Sequence, residues 1–311
     1  AEAAPHDLAF EMDDEHLTWS ELYATTSRVA HVLAAAGVKP GDKVLCNAYT
    51  LAPVPGAIEN SGAAIELVDI VDDYTIDLDD LEKKAAAPDA KWFMLSHMRG
   101  HIANMDRLMA ICNAHGLVLI EDCAHTMGAR WDGKKSGSFG AVACFSTQTY
   151  KHMNSGEGGL LVTDDPDLIA RAIIYSGSYM LYERHTSRPG MDVFESIKTM
   201  VPNYSCRMDN LRAAILRPQL KVLDAQCERW NKRYRILEKG LADIDGINIR
   251  PGEVNRDRRL QGLDLTGFLE SRVRLLDPTG SPISVDDGPR WRRLDGSTLG
   301  CFSGEQGRDV L

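Results

Sequence analysis

The chain has 311 residues, enough to bury the core of one large domain or two ordinary ones, and its 44% apolar content excludes disorder throughout. With 35 basic against 45 acidic side chains it carries a formal charge of -10, which repels a phosphate backbone and excludes nucleic acid as an expected partner. No apolar run reaches the roughly 20 residues that cross a bilayer, and the acidic opening AEAAPHDLAFEMDDEH is unlike the basic and then apolar start of a signal peptide, so a cytoplasmic protein without a membrane partner is expected.

The first predicted element is a helix. Thr18 and Glu21 fit a capping box, and Leu17 and Leu22 fit its hydrophobic staple. Leu22, Val29, Val32, Leu33 and Ala36 form its apolar face, and Gly37 ends it. Pro40-Gly41-Asp42 then turns into a strand, VLCNAY. Short apolar runs alternate with helical patterns from there: AIELVDI, a helix opened by Asp77, KWFMLSHM, a helix through Met105, Leu108, Met109 and Cys112, then LVLIED, VACFST and GGLLVTD. Such alternation predicts an α/β fold with a largely parallel sheet covered by helices on both faces. A helical stretch from about 208 to 241 carries Leu211, Ile215, Leu220, Leu223, Trp230, Tyr234 and Leu237, with Pro218 expected to kink or interrupt it. Residues 250 to 311, rich in Arg, Asp, Gly and Pro, are expected to form loops and a few small strands. Seven cysteines without repeated spacing imply reduced thiols, with Cys46, Cys123 and Cys144 acting as small buried hydrophobes.

Two residues stand out chemically. Asp122 ends the run Leu117 to Asp122, which places a carboxylate at the carboxyl end of a buried parallel strand, where ligands bind in open α/β sheets; the alternative is a helix cap or turn residue. Lys151 follows a strand, with hydroxyls at Ser146, Thr147 and Thr149 before it and Gly156, Gly158 and Gly159 after it. Those hydroxyls are candidates to hold a phosphate, and the glycines permit close backbone approach. An amine, a carboxylate and neutral phosphate donors are what pyridoxal 5′-phosphate (PLP) chemistry requires.

Other candidates carry competing readings. Glu157, between glycines, is read either as orienting Lys151 or a substrate amine, or as a turn carboxylate. His97 and His101, four apart with Cys123 and His125 downstream, suggest a metal site, but they follow a strand and lack paired Cys-x-x-Cys spacing, so no metal is expected. His97 is expected to cap a strand end near the cofactor, with a substrate or orienting role, or to be a satisfied buried imidazole. The run Arg290-Trp291-Arg292-Arg293 is read as a solvated loop.

Residues 38 to about 245 resemble the DegT/DnrJ/StrS family of PLP-dependent aminotransferases, which aminate keto groups of nucleotide sugars. The resemblance is carried by GDKVLCNAYTLAPVPGAI, LSHMRGHIANMD, VLIEDCAHTMGARWDGKKSGSFGAVACFS, the stretch from Lys151 to Gly159, and NYSCRMDNLRAAIL. It implies a fold type I, three-layer α/β/α core at 38-205, a long helical connection at 206-245, and atypical segments at 1-37 and 246-311. It further implies Lys151 as the Schiff-base lysine, Asp122 as the partner of the pyridinium nitrogen, and Ser146 as a phosphate hydroxyl. His125 stands where the family usually has Gln near the cofactor ring. Tyr49 lies on the loop that supplies a stacking aromatic, although Leu51 stands at the aromatic's own position. Asn203 matches the residue that reaches the phosphate of a neighbouring subunit, so a homodimer with a shared site is implied. The family's Gly-Thr phosphate turn is replaced by Thr25-Thr26-Ser27, where Thr26 and Ser27 are the remaining donors.

The implied reaction moves an amino group from an amino-acid donor to a keto acceptor of the sugar or nucleotide-sugar class. The stretch from Leu17 to Val44 and the segment RVRLLDPTGSPISVDDG also resemble pieces of adenylate-forming enzymes. A catalytically impaired or non-enzymatic PLP-fold protein, a fusion of unrelated pieces, and a ligase fragment are therefore the alternatives.

Overall fold

A computed structural model describes residues 8-12, 15-18, 32-177, 182-186, 188-242, 290-292 and 298-301. Strands β1 (Leu8–Met12) and β2 (Glu15–Thr18) pair antiparallel, with Phe10 opposite Leu17. Leu17 and Thr18 are therefore strand residues and not the staple and cap of a helix. Asp13 and Asp14, turn-favouring residues, separate two runs that pair with each other, and this cross-strand pairing overrides a local capping signal. Glu21, Leu22 and the phosphate-donor candidates Thr26 and Ser27 lie outside the described residues. Helix α1 is described at 32-36, and Gly37 follows it in the left-handed conformation at φ 102, which a residue with a side chain adopts only with strain.

The central architecture then builds in chain order as β3 (Lys43–Asn47), α2 (Pro53–Asn60), β4 (Ala64–Val68), α3 (Leu78–Ala85), β5 (Ala90–Ser96), α4 (Met105–His115) and β6 (Val118–Asp122). A two-residue ladder, β7 (Arg130–Trp131) with β8 (Lys134–Lys135), precedes β9 (Val142–Ser146) and β10 (Gly159–Val162). The sheet order is β10-β9-β6-β5-β3-β4, and only the β10-β9 pair is antiparallel. Helices α5 (Pro166–Ser176), α6 (Met191–Ile197) and α7 (Asn210–Ala242) follow.

Alternation along the central strands sends side chains to both faces, and both faces are apolar. Leu45, Phe93, Leu95 and Leu119 pack with Leu81 of α3 and Met105, Leu108 and Ile111 of α4. Val44, Trp92, Met94 and Ile120 pack on the other side with Ala57 and Ile58 of α2 and Leu168 of α5. The result is the expected three-layer sandwich, and the start of each helix is chemically marked. Asp77 accepts the N–H groups of Asp79 and Asp80 to open α3, and Asn104 accepts that of Arg107 to open α4. Asp165 and Pro166 open α5 in the same manner, a helix that the apolar runs alone do not announce.

Pro218 does not interrupt α7, which runs unbroken through it. Ala214 and Pro218 both face solvent, so the carbonyl four residues earlier that loses its donor is open to water, and the helix survives the missing N–H. Toward the end of the chain, Arg290–Arg292 is strand β11, paired antiparallel with β12 (Thr298–Cys301). Three residues of the basic run expected to be a loop, Arg290–Arg292, are thus a strand, and Arg293 lies outside the described residues. Among the described residues no helix is long and apolar enough to cross a membrane.

Phe93 is fully buried at the middle of the sheet. Phe93→Ala is expected to lower stability by about 3–5 kcal/mol, measured as a shift in the urea unfolding free energy; a loss under 1 kcal/mol would contradict its place in the core.

Candidate active site

Four parallel strands deliver their last residues to one edge of the sheet. Asn47 ends β3, Ser96 ends β5, Asp122 ends β6 and Ser146 ends β9, and Ser96 and Asp122 are register partners. Strand ends leave polar groups without ladder partners, and here they satisfy one another. Asn47 donates from Nδ2 to the carbonyls of Tyr49 at 2.8 Å and Ser96 at 3.1 Å, while its Oδ1 accepts the Ser96 N–H at 2.8 Å. Ser96 Oγ donates to Asp122 Oδ2 at 2.9 Å, and the Ala124 N–H donates to Asp122 Oδ1 at 3.1 Å. The half-buried Asp122 carboxylate is thereby fixed by two neutral donors, one on each oxygen, with acceptor capacity remaining on both.

Lys151 approaches this edge from the loop between β9 and β10. Its Nζ lies 2.7 Å from Nε2 of His125, three residues beyond Asp122, so the sequence-selected residues His125 and Lys151 meet. The loop is braced internally: Thr147 Oγ1 meets Ser155 Oγ at 3.2 Å, and Thr149 Oγ1 donates to the Gly156 carbonyl at 3.1 Å. Thr147 is fully buried and Thr149 exposed, and both hydroxyls, read from sequence as phosphate donors, hold the loop. Ser146 remains, half-buried, its Oγ accepting the Gln148 N–H at 3.3 Å. Outside the loop, Gln219 of α7 grips the backbone of Asn154 from both sides, at 3.0 and 2.7 Å, and Met153 packs with Leu216 and Leu223. Helix α7 thus sets the height of the lysine.

His125 is buried, and Nδ1 accepts the backbone N–H of Arg99 at 3.3 Å. Burial, then the charges of Lys151, Arg99 and His152, push its pKa down from 6.5 to about 3, so the imidazole is neutral at ordinary pH. Arg99 has left-handed backbone angles, φ 56 and ψ 23, which cost a non-glycine residue about 1 kcal/mol or more and tend to occur at functional sites.

His97 does not join this group. It is 1% exposed, and its Nε2 lies 3.1 Å from Oε2 of the fully buried Glu121, so a substrate or orienting role does not fit it. Its Nδ1 has no hydrogen-bond partner among the described residues. Glu121, which sequence reasoning passed over, also accepts the N–H groups of Gly137 at 3.0 Å, Phe139 at 2.8 Å and Gly140 at 2.7 Å. Burial acts to raise its pKa, but the bond and charge of His97 and the Gly140 and Gly137 N–H groups outweigh it, leaving the carboxyl below its ordinary value. His97, Glu121 and Cys123 place ligand-type atoms within 4.8 Å of one another. Each Glu121 oxygen, however, already carries two partners, so the cluster works as a clamp on the segment between β8 and β9.

Tyr49 is half-buried beside Tyr74, ring centroids 5.1 Å apart, and Leu51 is exposed. Glu157 and Asn203 are both exposed; the Glu157 carbonyl accepts Ser155 Oγ and Asn203 Oδ1 accepts the Ser205 N–H. Asn47, Ser96 and Arg99 are site-building residues that sequence reasoning missed. The only available signal for the first two was their position as polar residues closing apolar strands. Burial raises the Cys46 thiol to about 12, in keeping with an inert core cysteine.

A family model described as the DegT/DnrJ/EryC1/StrS aminotransferase family matches residues 22–273. The match runs past both limits read from the motifs, 38 and 245, and covers most of the stretch from Leu17 to Val44 that resembles adenylate-forming enzymes, a resemblance that it does not support. One relative, a pleiotropic regulatory protein of Geobacillus stearothermophilus, is 34% identical over 68% of this chain and 55% of its own length. An L-glutamine:scyllo-inosose aminotransferase of Streptomyces griseus is 35% identical over 70% of this chain and 51% of its own. Among solved structures, a 3-amino-5-hydroxybenzoic acid synthase superposes with a TM-score of 0.65 at 30% identity, covering 76% of this chain and 60% of that one. The chain therefore spans between half and two thirds of the length of these relatives.

Two stability measurements follow from the geometry. Glu121→Gln, which turns an amide N–H₂ toward backbone donors, is expected to cost more than about 2 kcal/mol in urea unfolding; an unchanged midpoint would remove the clamp. His125 has a depressed pKa when folded, so the unfolded chain takes up a proton below pH 6.5 that the folded chain refuses until about 3. Its contribution is fully present above 6.5 and lost as pH falls toward 3, so the urea midpoint of His125→Gln should decline less between pH 7 and 5 than that of the parent. Parallel declines would show that the imidazole is not held neutral.

Proposed function

The chain belongs to the DegT/DnrJ/EryC1/StrS aminotransferase family, and from that premise we propose that it is a PLP-dependent aminotransferase, with Lys151 as the Schiff-base lysine and a keto sugar, free or nucleotide-linked, as acceptor. The observation that carries the reading is the assembly of the Lys151 amine, His125 and the braced Asp122 carboxylate at the carboxyl edge of one sheet. These residues fit PLP. Asp122 keeps acceptor capacity toward a protonated ring nitrogen, Ser146 offers a hydroxyl at the end of β9, and Tyr49 borders the same edge from the end of β3.

When bound, PLP supplies an electron sink beside the substrate α-carbon. Asp122 would hold the ring nitrogen protonated, since an opposite charge within about 4 to 6 Å favours the charged form by roughly 1 to 3 pKa units. Lys151 would move the proton at the substrate α-carbon. Ser146, with Thr26 and Ser27 by sequence position, holds the phosphate, and Glu157 orients the lysine or the incoming amine. The donor is assigned as glutamine or glutamate, in line with the inosose relative named for L-glutamine.

A homodimer is part of the same proposal. Leu211, Ile215, Val222 and Ile236, on one side of α7, are between 42% and 73% exposed, an apolar face of the kind that partners cover. Asn203, exposed on the loop before α7, is assigned to the other subunit's phosphate in this reading. A second reading, a cofactor-binding regulator without turnover, is favoured by the name of the Geobacillus relative.

One set of measurements separates them. Borohydride reduction of the PLP-treated chain followed by mass spectrometry is expected to find the pyridoxyl adduct on Lys151 and to lose it in Lys151→Ala; an adduct elsewhere or none refutes the assignment. Single-turnover reaction with glutamine or glutamate is expected to yield the pyridoxamine form, and Asp122→Asn should slow it about ten- to a thousandfold, the range that 1 to 3 pKa units imply. Lysine labelling without any half-reaction would select the regulator.

A further inference from the structure

The hydrogen bonds around His125 constrain more than its own position. A neutral imidazole has one N–H and one bare nitrogen. The Arg99 backbone N–H can only donate, and it points at Nδ1 from 3.3 Å, so Nδ1 is the bare nitrogen and the proton sits on Nε2. That proton faces Lys151 Nζ across 2.7 Å. An ammonium has three N–H groups and no lone pair, whereas a free amine has one lone pair to accept with. The observed contacts therefore close only if Lys151 is unprotonated; an ammonium would set two donors head to head.

We propose that His125, with its proton fixed on Nε2 by the Arg99 backbone, is a positioning residue that holds the Lys151 amine in its unprotonated, nucleophilic form. The inference rests on the Schiff-base role of Lys151 and gives a reason for His at a position where Gln is usual. A glutamine amide can rotate to offer its oxygen to an ammonium, and a histidine pinned at Nδ1 has no such freedom. The left-handed Arg99 fits the same account, since its backbone angles aim the N–H that fixes the tautomer. The charged and titratable groups acting on the ring come from both packed segments: Arg99 from the turn after β5, and Lys151 and His152 from the loop after β9. With Lys151 a free amine, burial and the basic groups Arg99 and His152 oppose the imidazolium, the only state of the ring with two donors.

The test uses the full chain freed of cofactor. Trace acetylation across pH 7 to 11, with mass spectrometric quantification of the Lys151 peptide against the denatured chain, reads the unprotonated fraction of the amine. Replacement His125→Gln is expected to move the Lys151 midpoint up by about one pH unit, a roughly tenfold slower labelling at pH 8. An unchanged or lower midpoint overturns the proposal. Independently, ¹⁵N NMR of imidazole-labelled chain should report His125 protonated at Nε2, and protonation at Nδ1 overturns it equally. Neither readout needs bound PLP. A failure to find the borohydride adduct would sink the aminotransferase reading while leaving this result standing, and an Nδ1 tautomer would do the reverse.

Discussion

The structure depends on how four parallel strands end. A parallel sheet buried on both faces leaves its terminal amides and carbonyls at one edge with no ladder to join, and the last side chains must satisfy them. Asn47, Ser96 and Asp122 do so in a continuous run across β3, β5 and β6. The carboxylate that finishes the run is thereby immobilised, among the described residues, by neutral donors, which leaves its charge available to a ligand. A carboxylate paired with arginine would be equally rigid but electrically spent.

Two adjacent carboxylates on β6 show how burial divides labour. Strand alternation turns Glu121 and Asp122 to opposite faces. Glu121 goes inward, fully buried, where three backbone N–H groups and His97 saturate it and hold the segment after β8. Asp122 goes to the open edge, where among the described residues it meets two neutral donors. Chemically identical groups one residue apart thus become a structural clamp and a candidate cofactor partner, and the difference is the number of donors each meets. Helix α7 completes the arrangement at a distance, since its grip on Asn154 and Met153 determines where Lys151 stands.

The central strands were legible in the sequence because each is a short apolar run bounded by turn residues, and the helices capped by Asp77 and Asn104 because capping chemistry is local. Asp122 and Lys151 were legible for a related reason: one closes an apolar strand, the other sits between hydroxyls and glycines. What was not legible is tertiary. The capping signal at Thr18 lost to strand pairing, Pro218 was tolerated because its side of α7 meets water, and the Thr147 and Thr149 hydroxyls brace a loop, the first buried and the second exposed. Glu121 and Arg99 were missed because nothing in their neighbours announces three converging amides or a left-handed backbone.

The central claim is that the braced Asp122 carboxylate keeps a PLP ring nitrogen protonated beside Lys151. The most direct measurement is the ¹⁵N chemical shift of the pyridine nitrogen in the chain loaded with ¹⁵N-labelled PLP, recorded near pH 8 for the parent and for Asp122→Asn. The account predicts a pyridinium shift in the parent that moves to the neutral pyridine position in the variant. A neutral nitrogen in the parent, or the same shift in both, would contradict it.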